Sequence, residues 1–305
     1  MTFPARFAPL VLALVLAGCG GMATRDAAAP SPAPAPPAAV APAGPAANDN
    51  LNAVAWVQTT QEYRMAAIQA WRAGAAQLDT ALATAGWDAL VPADRVNPSD
   101  GLPPAVIVDI DETVLDNSPY QARLVRDGGS YDEVTWDAWV REERAPAIPG
   151  ALEFARAAAA RGITLFYVSN RAVHLEEATL RNLRALGFPL ERPEQFLGLG
   201  FHVDGCEQHG SEKTCRRRHV GRTHRVLMQF GDQIGDMATV VANTREGRDA
   251  AIAPHLDWIG RRWFMLPNPT YGSWEPALFD NAWSLPAETR RQRKLDALDY
   301  DGAVP

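Results

Sequence analysis

Ala105-Val106-Ile107-Val108 is apolar at every position, and Asp109 ends the run. A strand with one wet face alternates apolar and polar residues. An unbroken apolar run needs cover on both faces, as in a parallel sheet held between layers of helices. Ile163 to Val168 and Val226 to Phe230 are read the same way, and Trp263 to Leu266 as a fourth strand. Helical stretches lie between them. Asn50 to about Leu82 carries Ile68, Trp71, Ala75, Leu78 and Leu82 at three-four spacing, which makes one apolar stripe. Residues 115–148 carry more charge and read as helical and partly exposed. Ala151 to Ala160 is closed by Gly162, and Leu175 to Leu186 is stopped by Gly187. Alternating strands and helices place the chain in the α/β class, with a parallel sheet.

Ligands of such sheets bind where the strands end. Here three of the four strands end in reactive residues: Asp109 with Asp111, then Ser169, then Asp232. Ionised carboxylates directly after a buried strand must be matched by a cation, because unpaired burial is expensive. A sharp turn points Asp109 inward and lets Asp111 offer both its backbone and its side chain. Asp232 and Asp236, four residues apart, suit one side of a turn. Hard oxygen ligands without a histidine pattern predict magnesium rather than zinc. The formal charge of -7 argues against nucleic acid as a partner. With 47% hydrophobic and 21% charged residues, neither a mainly disordered chain nor a polytopic membrane protein fits.

Asp109, Asp111, Asp232 and Asp236, in this order, resemble the haloacid dehalogenase (HAD) superfamily, and within it the phosphatases with four catalytic aspartates. Ser169 matches the second motif of that superfamily. Lys213, the sole lysine between Ser169 and Asp232, matches the third. Longer stretches narrow the likeness. Asp109-Ile-Asp-Glu-Thr-Val-Leu-Asp-Asn-Ser-Pro-Tyr120, Trp136-x-x-Trp139-Val140, Ser169-Asn170-Arg171 and Leu266-Pro-Asn-Pro-Thr-Tyr-Gly-Ser-Trp-Glu275 together resemble the class C non-specific acid phosphatases. These are bacterial surface lipoproteins that also act as 5'-nucleotidases. The segment from His202 to His224 is unusual for that family, and Gln233 stands where an asparagine is more familiar.

The resemblance implies a Rossmann-like HAD core plus a helical cap. The cap would come from about residues 50–90, residues 115–148 and a C-terminal helix near Pro286 to Leu298. It implies that Asp109 attacks phosphorus and that Asp111 serves as general acid and then base. Magnesium would be held by Asp109, Asp111 through its backbone oxygen, and Asp232, with Asp236 orienting a metal-bound water. Ser169 and Lys213 would hold the phosphoryl oxygens. Arg216, Arg217 and Arg218 are a rival source of charge, but a charge run reads as a solvated face, so Lys213 is preferred. Trp136 and Tyr271 are either core aromatics or, as the family implies, a clamp on the nucleobase of a nucleoside monophosphate. Two other readings stay open: a phosphatase of other small monoesters such as sugar phosphates, and a non-catalytic surface lipoprotein that kept the fold.

The N-terminus reads as targeting. Arg6 precedes an apolar run from Phe7 to Ala17, too short to span a bilayer. Leu16-Ala17-Gly18-Cys19 resembles a bacterial lipobox, which implies a signal peptide over residues 1–18 and acylation of Cys19. Gly20 in place of aspartate implies the outer membrane of a Gram-negative envelope. Residues 19–47 form a lipid-anchored linker; Ala27 to Ala47 holds only Ala, Pro, Ser, Gly and Val, with seven prolines, and cannot build a core. The folded domain is expected over residues 48–305. Cys206 and Cys215 are read as a disulfide of an exported protein. Zinc lacks standard ligand spacing there, and unpaired thiols are the third option.

Overall fold

The apolar run that ends at Asp109 is the central strand of the sheet. The computed structural model describes residues 47–300 and 302. In chain order the elements are α1 (Leu51–Thr59), α2 (Gln61–Ala83), β1 (Pro104–Val108), α3 (Ser118–Asp127), α4 (Glu133–Arg141), α5 (Ala151–Ala159) and β2 (Thr164–Ala172). They continue with α6 (Glu176–Leu186), β3 (Phe196–Leu199), α7 (Thr214–Thr223), β4 (Arg225–Gly231), α8 (Arg245–Ile252), β5 (Trp263–Met265) and α9 (Ala287–Asp296). The strands lie in the order β3-β2-β1-β4-β5, and every neighbouring pair is parallel. From β1 the chain turns to β2 on one side and returns to β4 on the other. The carboxyl end of β1 therefore borders both halves, the crevice position of an open α/β sheet.

Burial explains why β1 does not alternate in character. Val106 and Val108 pack into a cluster with Trp71, Phe154 and Phe230. Ala105 and Ile107 pack into a second cluster with Leu90, Val226 and Trp263. Each face of the strand thus has its own core. The first cluster is anchored by Trp71, which stacks on Phe230 at 4.3 Å between ring centroids and lies 5.2 Å from Phe154. Gly74 admits that ring, since a Cβ there would sit 2.3 Å from Phe230 Cζ. Trp71→Ala should lower stability by about 3–5 kcal/mol, measured as a shift in the urea midpoint. A loss below about 1 kcal/mol would exclude this indole as an anchor of the core.

Several sequence expectations are corrected. The stretch read as one helix from Asn50 breaks at Thr60, whose backbone is extended at φ −102° and ψ 147°. Its hydroxyl accepts from Tyr63 N at 3.3 Å and caps α2. The helix α2 was expected in the cap, yet it packs on α5 and on the sheet beside β4 and β5. Its apolar stripe is covered there, while α1 packs against α3. The strand β3 went unrecognised because it is four residues long and contains Gly198. That glycine lets Arg171 O approach, since a Cβ would meet it at 2.7 Å. The helix α7 was also missed, because its sequence is dominated by arginine and histidine. The signal region, Cys19 and the Ala/Pro tether up to Ala46 lie outside the described residues.

Candidate active site

Backbone geometry after β1 sets the first two carboxylates. Asp109 N donates to Phe230 O at 2.9 Å, so Asp109 still belongs to the sheet. The next turn closes on one carbonyl: Ile110 O accepts from Thr113, Val114 and Leu115 N at 3.3, 2.9 and 2.9 Å. Glu112 takes the left-handed backbone, φ 57°, inside that turn. Asp109 is buried, and its Oδ2 accepts from Thr113 Oγ1 at 3.3 Å.

Lys213 reaches this carboxylate from the start of α7. Its buried Nζ donates to Asp109 Oδ1 and lies 2.6 Å from Asp236 Oδ1. Asp236 returns to the site because Gly231 leaves room; a Cβ on Gly231 would meet Asp236 Oδ2 at 2.2 Å. Asp236 Oδ2 accepts from Gln233 N at 2.8 Å. Asp232 Oδ2 accepts from Gln233 Nε2 and Asn268 Nδ2, each at 2.8 Å. One oxygen each from Asp109, Asp232 and Asp236 lies within 4.8 Å of the others.

Three carboxylates face one ammonium, so negative charge is in excess. Burial pushes the Asp109 carboxyl up to about 7 against the pull of Lys213, and Asp236 and Asp111 add to the rise. Burial also raises Asp232 well above the usual carboxylate range, helped by Asp236 and then Asp109. For Lys213 burial acts downward, but the Asp109 and Asp236 carboxylates outweigh it and raise the ammonium. A divalent cation would relieve this excess. The convergent oxygens are the hard donors that magnesium or calcium takes.

Asp111 is held differently. Its Oδ1 accepts from Asn117 Nδ2 at 2.8 Å and from Arg171 Nε at 2.9 Å, with Arg171 Nη2 at 2.8 Å. Ser169 Oγ lies 3.4 Å from Asp111 Oδ2 and accepts from Arg171 N at 3.0 Å. Arg171 is 1% exposed. Its guanidinium lies 5.6 Å from the centroid of Trp136, and Asn117 Oδ1 accepts from Trp139 Nε1 at 2.8 Å. Trp136 is half-buried and flanks the site through Arg171. Tyr271 donates through its hydroxyl to Glu112 Oε2, the residue directly after Asp111. Burial and then the Glu112 charge raise that phenol well above its usual range.

The structure thus brings together Asp109, Asp111, Ser169, Lys213, Asp232 and Asp236. Cys206 and Cys215 form a disulfide, with Cα atoms 5.6 Å apart, around the loop that carries Lys213. Among the described residues no histidine or cysteine joins a metal-ligand group. The reading of Arg216 and Arg217 as a solvated face is overturned, since both side chains are 0% exposed. Sequence reasoning gave no role to Arg171, Asn117, Glu112 or Asn268. All four lie inside the quoted motifs, and the signal was their position rather than their residue type.

The profile of the HAD superfamily, subfamily IIIB (acid phosphatase), matches residues 39–274. A class C acid phosphatase from Bacillus anthracis, solved with tungstate bound, is 31% identical with a TM-score of 0.70, covering 82% of this chain and 96% of that one. A second structure of the class C acid phosphatase from that organism has a TM-score of 0.71 at 31% identity, with the same coverage. Acid phosphatase 1 of Solanum lycopersicum is 27% identical over 165 residues, 54% of this chain and 57% of that protein. The stem 31 kDa glycoprotein of Glycine max is 26% identical over 165 residues, 54% of this chain and 58% of that protein. The match therefore spans a little over half the length of these plant relatives.

Proposed function

The chain belongs to the acid phosphatases of HAD superfamily subfamily IIIB, and on that premise we propose that it is a magnesium-dependent phosphomonoesterase that prefers 5'-nucleotides. The observation that carries this reading is the buried Asp109 carboxylate, placed between the Lys213 ammonium and the Asp232 and Asp236 carboxylates. HAD phosphatases use a divalent metal, and the donor set here suits one. Asp109, Asp232 and the Asp111 backbone oxygen would hold it, with Asp236 behind. When bound, the cation neutralises charge on the carboxylates and on the phosphoryl group.

Asp109 attacks phosphorus with a carboxylate oxygen, and the bond from phosphorus to the leaving oxygen breaks. Asp111 gives its proton to that oxygen, so the alcohol leaves neutral. In the second step Asp111 takes a proton from water, whose oxygen attacks phosphorus and frees Asp109 and phosphate. Lys213 and the Ser169 hydroxyl supply positive charge and a donor to the phosphoryl oxygens. Asp111 thus enters the first step as the acid and the second as the base. Arg171 and Asn117 hold it pointed at the site. A location at the outer membrane, through acylated Cys19, rests on the lipobox alone.

The nucleotide preference is supported by Trp136 over Arg171 and by Tyr271 against Glu112, both flanking Asp111. Trp136→Ala should lower kcat/KM for a 5'-nucleotide by about tenfold, the worth of one base–aromatic stack. Its effect on a small aliphatic phosphomonoester should be slight. Equal losses on both would make the aromatic structural and remove the preference. In the same assay a chelator should abolish hydrolysis and added magnesium restore it. Hydrolysis that survives exhaustive chelation would refute the metal requirement.

A further inference from the structure

Arg216 is a buried cation that the chemistry above leaves unused. Its Nη1 donates to Ser169 O, and its Nη2 donates to Asn170 Oδ1 at 2.8 Å, Glu212 O at 2.9 Å and Ser211 O at 3.2 Å. One guanidinium therefore ties the end of β2, which carries Ser169, to the residues just ahead of Lys213. Lys213 and Arg216 are three residues apart at the start of α7, so they lie on the same side of it. All four partners are neutral oxygens. Among the described residues no carboxylate lies within ion-pair distance of Arg216, whereas its neighbour Arg217 pairs with Asp94 at 2.7 Å. Arg216 Nε has no hydrogen-bond partner at all.

A fully buried charge without a counter-charge is costly unless an anion completes it. The carboxylates whose charge acts on Arg216 are those of the site already described, Asp109 and Asp236, through space rather than by contact. Burial lowers this guanidinium only to about 10, so it stays cationic.

We propose that Arg216 is a positioning residue of the phosphoryl pocket: it fixes Ser169 and Lys213 at one separation and adds behind them a positive charge that no carboxylate contacts directly. This rests on the phosphatase reading. It assigns Arg216 to binding of the phosphoryl dianion, not to the proton transfers of Asp111. The disulfide between Cys206 and Cys215 closes the same loop, which carries Ser211, Glu212 and Lys213.

The test is calorimetric titration of the full, magnesium-loaded protein with inorganic phosphate, alongside steady-state kinetics and thermal melting. Arg216→Met should bind phosphate about tenfold more weakly, since the positive charge and the tie between Ser169 and Lys213 are both lost. KM should rise by a similar factor. Arg216→Lys keeps the charge but cannot span four oxygens. It should recover most of the phosphate affinity while kcat falls below wild type by more than twofold, a split that a merely structural role would not produce. If the methionine variant does not fold, the lysine variant carries the test alone: phosphate affinity and kcat both within twofold of wild type would overturn the proposal. Folded variants that both bind phosphate as wild type does would overturn it as well. A wild-type protein that neither turns over nor binds phosphate would instead overturn the phosphatase reading, and this inference with it.

Discussion

Asp109→Asn should leave a folded protein that binds phosphate but turns over at least about four orders of magnitude more slowly, as loss of a covalent nucleophile does elsewhere. Asparagine keeps the shape of the side chain and an oxygen able to accept from Thr113 or Lys213. What it loses is the charged oxygen that attacks phosphorus. The effect on stability has the opposite sign. The folded-state carboxyl of Asp109 lies near 7, above its unfolded value of about 3.9. Its ionisation therefore costs stability in the metal-free protein, increasingly as the pH rises from about 4 to about 7. Asparagine removes that cost. The metal-free variant should melt no lower than its parent at neutral pH. Turnover near the wild-type rate would rule out the aspartyl-phosphate. A large drop in melting temperature would refute the stated balance between burial and Lys213.

Lys213→Gln should reduce both activity and stability. The ammonium is the direct counter-charge to Asp109 and Asp236. Without it two buried carboxylates face each other with no cation in direct contact. Breaking a buried pair in this way costs about 3–5 kcal/mol. Loss of the positive charge beside the phosphoryl group should lower kcat/KM by about 10²- to 10³-fold. Arginine should not restore the wild type, since a planar fork on a longer stem cannot reproduce a point charge between two carboxylates. Opposite stability effects at Asp109 and Lys213, with activity lost at both, are the signature of this site. A lysine variant within tenfold of wild-type kcat/KM would transfer the anion-binding role elsewhere, to Arg216 first.

Much of the site could be read along the chain. The apolar run of β1 and the largely apolar runs of β2 and β4, interrupted by Thr164 and Gln229, are local signals, and each leads to a site residue: Asp109, Ser169, Asp232. The scarcity of lysine singled out Lys213. These features are encoded within a few residues, because strand burial and turn geometry are set locally.

The partnerships are not local, and only the tertiary structure decided them. Arg171 meets Asp111 across 60 positions, and Lys213 meets Asp109 across 104. Both meetings depend on the strand order, which sets β2 and β4 on either side of β1. Arginines 216–218 look alike in sequence, yet two are buried and one is partly exposed. Their fates are set by which carbonyls and carboxylates α7 happens to face. The placement of α2 on the sheet was also decided in three dimensions, because an apolar stripe states that a helix must be covered but not by what. Pattern along the chain reports what each residue needs from its surroundings. Which distant group meets that need is a matter of packing, since burial energy depends on contact and not on order in the chain.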